Sequence, residues 1–376
     1  MPSAKDLPCP HPRFARLLLL NSFLLIGIWL YWHATAAARP ATDLNRLPMV
    51  RTVYFPATGH HLSNRVGFLD FWRAHGQLHS FGMPISEELV IDGRIVQYFE
   101  RARFEYHPEY AGTPLQVQLG LIGREWLERQ QLPLPPPAAD QTGAFFAETG
   151  YTLQGEFLEF WERRGGLPIF GFPISAEHTA DGVIIQYFER ARLRYQPEAL
   201  SPFLRQQQAI YGFDLDTLYE VAIDDLGRQL ANLLGINTAP VARLPGAVDW
   251  SPALWPRRIE VDLARQQLFA YEDQLLVFTA PVATGRDGFN TPRGDFAIYY
   301  RLPEQTMTGC LGGECWYVPN IPWVQYVVGG VALHGTYWHN AHGSGVRMSH
   351  GCINLRIDDA QWLYEWADLG VPVMIY

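Results

Sequence analysis

The spacing of hydrophobic and polar residues divides this 376-residue chain into three parts. An almost unbroken apolar run extends from Leu17 to about Trp32, and the middle of the chain alternates between helical and strand-like patterns. From Arg258 onward, short segments with apolar residues at every second position predominate, which is typical of half-buried β-strands. The spacing therefore predicts an N-terminal hydrophobic helix, a mixed α+β middle region and a mainly β C-terminal domain.

The first apolar run is typical of an export signal or a membrane anchor. Lys5, Arg13 and Arg16 precede it, and the small residues of Ala34–Ala38 follow it. A basic segment, an apolar core and small residues at the end describe a signal peptide, and about 20 apolar residues also suffice to span a bilayer. We expect residues 1–38 to carry the rest of the chain across the cytoplasmic membrane as a signal peptide or an uncleaved anchor.

The middle of the chain is duplicated, with a constant offset between residues 71–108 and 160–197. The shared motifs are Phe-Trp, Phe-Gly-x-Pro-Ile-Ser and Gln-Tyr-Phe-Glu-Arg-Ala-Arg, which begin at Phe71, Phe81 and Gln97 in the first copy. Self-similarity at a fixed period indicates repeated structural units. The predicted boundaries are module 1 at 50–132, a Pro-rich linker at 133–140, module 2 at 141–212, and a helix with a linker at 213–256.

Each module is predicted to be a small α+β unit. A helix ends near Gly76 or Gly165, because glycine suits the left-handed position after a helix, and a turn at Asp92 or Asp181 leads into an alternating strand. The units resemble LGFP-type repeats of exported cell-envelope proteins through their Phe-Gly-x-Pro-Ile-Ser and Gln-Tyr-Phe motifs, which implies contact with glycan or the wall. We expect the charged pairs that follow the strands to be solvated: Glu100–Arg101 and Glu189–Arg190.

The C-terminal part, 257–376, carries the pattern of a mainly β domain. A β-hairpin is expected where a polar turn at Glu272–Asp273 separates two alternating segments. One helix is predicted at 358–368, where Gly370 and Pro372 follow it. The predicted strands are 259–263, 267–271, 275–278, 296–300 and 371–376.

Composition restricts the compartment and the partners. Hydrophobic residues make up 48% of the chain and charged residues 18%, which is enough apolar material for packed cores. The net charge of −9, without a basic run, excludes nucleic acid as the main ligand. Beyond the apolar run only Cys310, Cys315 and Cys352 remain, and an odd count outside the cytoplasm suggests one pair and one free thiol. Cys310 and Cys315 are close in sequence and are the candidate disulfide, with a labile redox pair as the rival interpretation, so Cys352 is the candidate free thiol.

Cys352 lies in a setting that suits a nucleophile. It belongs to Ser-His-Gly-Cys-Ile-Asn at 349–354, and His334 precedes it in Leu-His-Gly-Thr at 333–336. The thiolate is the attacking species and an ordinary cysteine has a pKa near ~8.5, so a neighbouring imidazole must take the proton. A zinc site is the rival interpretation, but the spacing fits no common zinc pattern. We therefore predict neither a metal nor another cofactor.

These motifs resemble the catalytic domain of the L,D-transpeptidase (YkuD-like) family over about 257–376. The Thr-Pro-x-Gly-x-Phe turn at 291–296 belongs to the same resemblance. It implies a β-sandwich or barrel with a short helix, with Cys352 as the nucleophile and His334 as the proton donor and acceptor. It also implies that the backbone carbonyl of Gly335 orients His334.

Several further residues are candidates around the nucleophile. The N–H groups of Gly351 and Cys352 suit an oxyanion hole, and Ser349 is expected to support their loop. The segment 308–315 is interpreted as a local insertion or a lid, and His339 and His342 as surface or substrate-loop residues. The remaining candidates for the substrate pocket or its walls are His350, Asn354, Tyr337 and Trp338.

The same resemblance implies the reaction. The acyl donor would be a peptidoglycan tetrapeptide stem, and an amine that resolves the thioester would give a 3→3 cross-link or attach a wall component. Resolution by water would instead make the protein an L,D-carboxypeptidase. A third alternative is a wall-binding protein with an inactive catalytic domain. In each case the expected location is outside the cytoplasmic membrane, in the wall or on a membrane anchor.

Overall fold

The computed structural model describes residues 51–132, 134, 137, 143–195, 221–311 and 313–376. The predicted N-terminal helix and most of the Pro-rich linker lie outside these residues. Within the described ranges, no helix is both long and apolar enough to cross a membrane.

The first module packs two helices against a four-stranded antiparallel sheet in the order β3-β4-β5-β6. Trp72 of the first helix and Phe99 and Phe104 of the sheet region are fully buried in one core. The elements are β1 (Thr52–Phe55), β2 (His60–Ser63), α1 (Phe68–Ala74), α2 (Gln77–Ser80), β3 (Leu89–Ile91), β4 (Arg94–Tyr98), β5 (Arg103–Tyr106), a 3-10 turn (Pro108–Tyr110), β6 (Val117–Leu119) and α3 (Ile122–Gln130).

The second module has the same order of helices and strands. Gly76 and Gly165 follow the first helix of each module with φ of 101° and 115°, the left-handed conformation predicted for both. The elements are β7 (Ala144–Phe146), β8 (Tyr151–Leu153), α4 (Gly155–Arg163), α5 (Gly166–Phe170), β9 (His178–Ala180), β10 (Val183–Tyr187), β11 (Arg192–Tyr195), β12 (Val221–Ile223) and α6 (Leu226–Leu233).

The two modules interlock through the helix that closes each of them. At the start of α3 the N–H of Gly123 donates to the carbonyl of Glu189 (3.0 Å), and at the start of α6 the N–H of Arg228 donates to the carbonyl of Glu100 (2.8 Å). A β-carbon on Gly123 or Gly227 would lie 1.9 or 2.3 Å from a carbonyl oxygen of the other module. Only glycine therefore fits at these two contacts.

Glu100 and Glu189 belong to this contact, so the expectation of solvated ion pairs is wrong for them. Glu100 pairs with Arg228 and Glu189 pairs with Arg124, each at 2.7 Å and each across the two modules. Their side chains are only 26% and 15% exposed. The duplicated charged motif thus joins one copy to the other.

The region after the second module is less helical than predicted. Residues 221–223 form β12 because they pair with β11 as the fourth strand of the sheet, and α6 begins only at Leu226. The predicted start of the helix, 213–220, lies outside the described residues. Within the expected linker, β13 (Val248–Asp249) pairs in parallel with β1.

The C-terminal domain is mainly β, as predicted, and consists of two sheets with one core. The sheets have the orders β16-β15-β14-β22-β17 and β18-β19-β20-β21, and α7 contributes Leu363 and Trp366 to the shared core. The elements are β14 (Arg257–Asp262), β15 (Gln267–Glu272), β16 (Leu275–Pro281), β17 (Gly294–Ala297), β18 (Tyr300–Leu311), β19 (Glu314–Val328), β20 (Val331–Gly335), β21 (Ile353–Leu355), α7 (Ile357–Trp366) and β22 (Pro372–Ile375).

The strand predicted at 296–300 is wrong in extent, because the chain changes sheets there. The N–H of Ile298 donates to Val371 at the edge of one sheet, and the N–H of Tyr299 donates to Tyr326 in the other. β17 ends before this step and β18 begins after it. Alternation alone does not reveal which sheet each residue joins.

Strands β18 and β19 form a long hairpin that projects from its sheet. β19 pairs with β20 only over Gln325–Val328, so the outer half of the hairpin is a two-stranded ribbon. The segment 308–315, interpreted from sequence as an insertion or a lid, is the end of this ribbon. A disulfide joins Cys310 and Cys315 across it.

Both modules contact the C-terminal domain through charged groups. In the first module Arg73 donates to the fully buried carboxylate of Glu272 (3.1 Å). In the second, Arg163 and Arg164 pair with Asp359 (2.8 Å) and Asp358 (2.5 Å) at the start of α7. The site described next therefore lies on a domain that both modules support.

Candidate active site

Two parallel strands bring His334 and Cys352 to one face of a sheet. β20 and β21 pair so that Leu333 faces Ile353 and His334 faces Asn354. Leu333 and Ile353 are fully buried in the core, so His334 and Asn354 point to the opposite face. Because side chains alternate along a strand, Cys352, two residues before Asn354, lies on the His334 side.

The imidazole of His334 is oriented by its own strand. Its Nδ1–H donates to the carbonyl of Gly335 at 3.0 Å, which leaves Nε2 unprotonated in the neutral ring. The side chain is buried, and this burial lowers the pKa of His334 to about 4. At neutral pH the ring is therefore an uncharged base with a fixed tautomer.

The thiol of Cys352 is also uncharged at neutral pH. Burial raises its pKa to about 11. The hydrogen bond found for Sγ goes to the carbonyl of Gly330, at 3.7 Å, and the described residues show none between Sγ and His334. A resting thiolate–imidazolium pair is thus disfavoured, and the proton must leave the thiol as the attack proceeds.

The loop before Cys352 is held by hydroxyl groups. Ser349 Oγ donates to the carbonyl of Cys352 (2.6 Å) and accepts from the N–H of Gly351 (3.1 Å). Thr291 Oγ1 donates to the carbonyl of Gly351 (2.8 Å), which ties the loop to the Thr-Pro turn. Ser349 thus lies where a supporting role requires it, and Thr291, noted from sequence only as part of the Thr-Pro-x-Gly-x-Phe turn, supports the same loop.

Gly351 combines a positive φ with an N–H group that already has a hydrogen-bond partner. Its φ is +119°, so glycine is needed here for backbone conformation, while a β-carbon would meet only ordinary contacts at 3.5 Å or more. Its N–H already donates to Ser349, so it is not a free oxyanion donor in this arrangement. The N–H of Cys352 remains the simpler candidate.

Asn354, His339 and His342 form a buried polar group behind the pair. Asn354 Nδ2 lies 2.9 Å from His339 Nε2, and the rings of His339 and His342 are 4.9 Å apart. His342 is only 6% exposed, so its assignment to the surface is wrong. Burial lowers the pKa of His339 to about 4 and of His342 to about 3. No group of three metal ligands occurs among the described residues.

Tyr337 and Trp338 occupy different environments. Tyr337 is buried and its hydroxyl donates to the carbonyl of Pro319, which makes it a packing residue. Trp338 is partly buried, with its ring 5.8 Å from that of His334, and packs with Cys352 on one small apolar cluster. Of the two, Trp338 is positioned to line the site.

His350 is enclosed by residues that the sequence did not identify. Its ring stacks on Trp316 (4.3 Å between centroids) and meets Phe289 edge to face (4.8 Å). Its Nε2 lies 2.9 Å from Oε1 of Glu314, which also pairs with Arg286. Two segments of the sequence could have indicated these neighbours of His350: the charged Thr-Gly-Arg-Asp turn at 284–287 and the acidic, aromatic Glu-Cys-Trp segment at 314–316.

Comparisons with known proteins concern the same C-terminal domain. Residues 256–375 match the family model described as the YkuD L,D-transpeptidase catalytic domain. A protein of Bacillus licheniformis with the provisional name L,D-transpeptidase YkuD is 32% identical over 125 residues, which are 33% of this chain and 68% of that protein. The resemblance of the two modules to LGFP-type repeats stays a prediction.

Solved structures of similar proteins also align with about a third of the chain. An L,D-transpeptidase in complex with imipenem is 22% identical, with a TM-score of 0.31 over 32% of this chain and 59% of that one. The catalytic domain of the E. faecium enzyme is 26% identical, with a TM-score of 0.30 over 33% of this chain and 99% of that one. The present chain thus spans less than two thirds of the first structure.

Proposed function

Because this chain belongs to the L,D-transpeptidase family, we propose that it transfers acyl groups from peptidoglycan stem peptides through a thioester on Cys352. The observation that carries the proposal is the pairing of β20 with β21. It brings a free thiol beside a buried imidazole whose Nδ1 proton is fixed on Gly335. A nucleophile, a base and a group that orients the base are the parts that acyl transfer requires.

The proposed first half-reaction forms the acyl-enzyme. Sγ of Cys352 attacks the carbonyl carbon of residue three of the tetrapeptide while Nε2 of His334 takes the thiol proton. The C–N bond to the terminal D-Ala then breaks, and His334 returns the proton to the leaving amine. The neutral resting state of both groups supports a proton transfer that is concerted with the attack.

The oxyanion that forms in this step needs hydrogen-bond donors. The backbone N–H of Cys352 is the first candidate, and the N–H of Gly351 joins it if its bond to Ser349 opens. One such donor is worth about 2.7–4 kcal/mol of the barrier. Trp338, which packs in one cluster with Cys352, and His350, two residues before Cys352, would line the donor pocket.

In the second half-reaction an amine attacks the thioester. An acceptor stem gives a 3→3 cross-link, and another wall component gives an attachment; both regenerate the thiol. We further propose that the enzyme works outside the cytoplasmic membrane, supported by the pattern of residues 1–38. The interlocked modules would hold the catalytic domain near the wall, with glycan contact as their candidate role.

The test uses the full chain in mild detergent with a disaccharide-tetrapeptide, and mass spectrometry of the products. Cross-linked dimers support the transpeptidase, release of D-Ala alone supports the carboxypeptidase, and an unchanged donor supports the wall-binding alternative. Cys352→Ala should abolish either reaction, whereas Cys9→Ala, which also removes one thiol, should leave it intact. Activity that survives Cys352→Ala contradicts the proposed nucleophile.

A further inference from the structure

A carboxylate of the protein itself contacts Arg286 and His350, two side chains of the candidate site. Oε1 of Glu314 accepts from Nη2 of Arg286 and lies 2.9 Å from Nε2 of His350. Nη2 of Arg286 also lies 3.1 Å from Nε2 of His350, so the three side chains meet at one point. Arg286 and His350, which is two residues before Cys352, thus both contact one carboxylate oxygen.

Arg286 and His350 are held in place by their neighbours. The N–H of Arg286 donates to the carbonyl of Ser349 (3.1 Å), and its guanidinium lies over the ring of Phe289 (4.8 Å). The ring of His350 is fixed between Trp316 and Phe289. Nε of Arg286 is buried and has no hydrogen-bond partner among the described residues. Arg286 therefore keeps donor capacity that Glu314 does not use.

The acceptor, in contrast, is an exposed side chain at the surface of the domain. Glu314 is the first residue of β19, at the end of the two-stranded ribbon, and its side chain is 46% exposed. An exposed ion pair contributes little to stability, so the Glu314 side chain can turn away from Arg286 into solvent. The ribbon end itself stays closed by the Cys310–Cys315 disulfide and keeps Trp316 on His350.

We propose that Arg286, assisted by His350, binds a carboxylate of the acyl donor, and that Glu314 holds this subsite in the free protein. The identity of that donor as a stem peptide rests on the proposed function. An incoming carboxylate replaces Glu314 on Nη2 of Arg286, and the unused Nε of Arg286 is a second donor for a bidentate contact once Glu314 has left. A donor without a carboxylate cannot make this exchange, so the subsite selects for charge.

The experiment measures this preference without relying on transpeptidation. Cys352 of the full chain is modified by 3-maleimidopropionate or by N-ethylmaleimide, which add the same ring to the thiol and differ in one carboxylate. Mass spectrometry of the peptide that carries Cys352 gives both rate constants. Their ratio cancels any change in thiol reactivity and reports only the preference for the carboxylate.

Two substitutions and their combination separate displacement from simple charge repulsion. Glu314→Gln should raise the ratio about twofold to fivefold, the size of one exposed ion pair, and Arg286→Gln should lower it. In the Arg286→Gln background, Glu314→Gln should have no further effect, since the two residues act as one unit. Arg286→Lys, which keeps the charge, should retain part of the preference even if the glutamine variant folds poorly.

The matched control is Glu304→Gln, which removes one exposed carboxylate from the same hairpin and should leave the ratio unchanged. An unchanged ratio in Glu314→Gln, or an equal rise with and without Arg286, overturns the proposal. A chain that shows the preference but neither cross-links nor trims the stem donor refutes the proposed function and keeps the carboxylate subsite. A chain that cross-links or trims the stem donor but shows no preference for the maleimide with a carboxylate refutes the subsite and leaves the proposed function intact.

Discussion

At the scale of single residues, the site depends on groups that are kept neutral by burial. His334 and Cys352 both lose hydration, and their pKa values move in opposite directions, to about 4 and about 11. In the proposed mechanism the pair is therefore a latent nucleophile that becomes active only as the proton moves. Both residues could be proposed from the sequence, because the Ser-His-Gly-Cys motif and the histidine upstream of it can be recognised directly along the chain.

The lowered pKa of His334 predicts an unusual pH profile for acylation. Nε2 accepts a proton only while the ring is neutral, so the acylation rate with a carbapenem should fall on the acid side near pH 4. An ordinary histidine would place this limb near pH 6.5. His334→Gln should lower the rate by about 10²–10⁴-fold and remove the limb.

Rapid-quench mass spectrometry between pH 3.5 and 8 measures this rate, with circular dichroism to verify that the fold persists at each pH. A limb near pH 6.5 in the wild-type protein, or a limb that persists in His334→Gln, contradicts the assigned role.

Other residues of the site were not predictable, because distant segments bring them together. Glu314 and Trp316 reach His350 only through the β18–β19 hairpin. The burial of His342 likewise depends on packing and not on any local pattern. The positive φ of Gly351, which requires glycine at this position, was also not predicted from sequence.

At the scale of elements, local pattern predicted the strands well where one sheet face is buried. The segments expected at 259–263, 267–271 and 371–376 correspond to β14, β15 and β22 within about two residues. The predictions failed where the pairing of strands, and not the local pattern, determines the structure. Residues 221–223 form a strand because they pair with the edge of β11, and the segment 296–300 is divided between two sheets.

The contact between α6 and the first module gives a stability prediction. A β-carbon at Gly227 would lie 2.3 Å from the carbonyl oxygen of Phe99, a backbone atom that cannot move independently. Gly227→Ala should therefore lower the free energy of unfolding by about 1–3 kcal/mol, the usual cost of overpacking.

Urea denaturation followed by tryptophan fluorescence measures the effect. Gly330→Ala is the matched control, because nothing lies within 4 Å of its β-carbon, and it should change the free energy of unfolding by less than about 0.5 kcal/mol. Equal destabilisation by both variants would argue against a close contact between the modules.

At the scale of the whole molecule, the duplicated modules are one interlocked unit that supports the catalytic domain. The sequence revealed the duplication but not the exchange of closing helices, because the two copies of Gly-Arg at 123–124 and 227–228 fall outside the constant offset. Contacts such as Arg73 with Glu272 then join this unit to the catalytic domain.

Buried histidines should make the stability of the whole chain dependent on pH. The pKa of His342 is lowered from 6.5 to about 3 by burial and by nearby positive groups, His339 among them. The unfolded chain therefore binds more protons below pH 6.5, so this contribution is present above pH 6.5 and is lost as the pH falls. The slope is about 1.4 kcal/mol per pH unit for each such residue.

The measurement compares wild type and His342→Phe by urea denaturation at pH 7, 6 and 5. The variant should lose about 1.4 kcal/mol less per pH unit below pH 6. Asp359, whose pKa is raised by burial and by Asp358, works in the opposite direction in both proteins and cancels in the comparison. Parallel slopes would show that His342 is not buried in the neutral form.

The most direct test of the account is the mass of the acyl-enzyme. The full chain is mixed with a disaccharide-tetrapeptide without acceptor, quenched in acid within seconds, and digested for mass spectrometry. We predict that the peptide with Cys352 gains the donor mass less D-Ala, that hydroxylamine removes this adduct, and that Cys9→Ala retains it. D-Ala release or cross-linking without an adduct on Cys352, or an adduct on another residue in Cys352→Ala, would contradict the thioester mechanism.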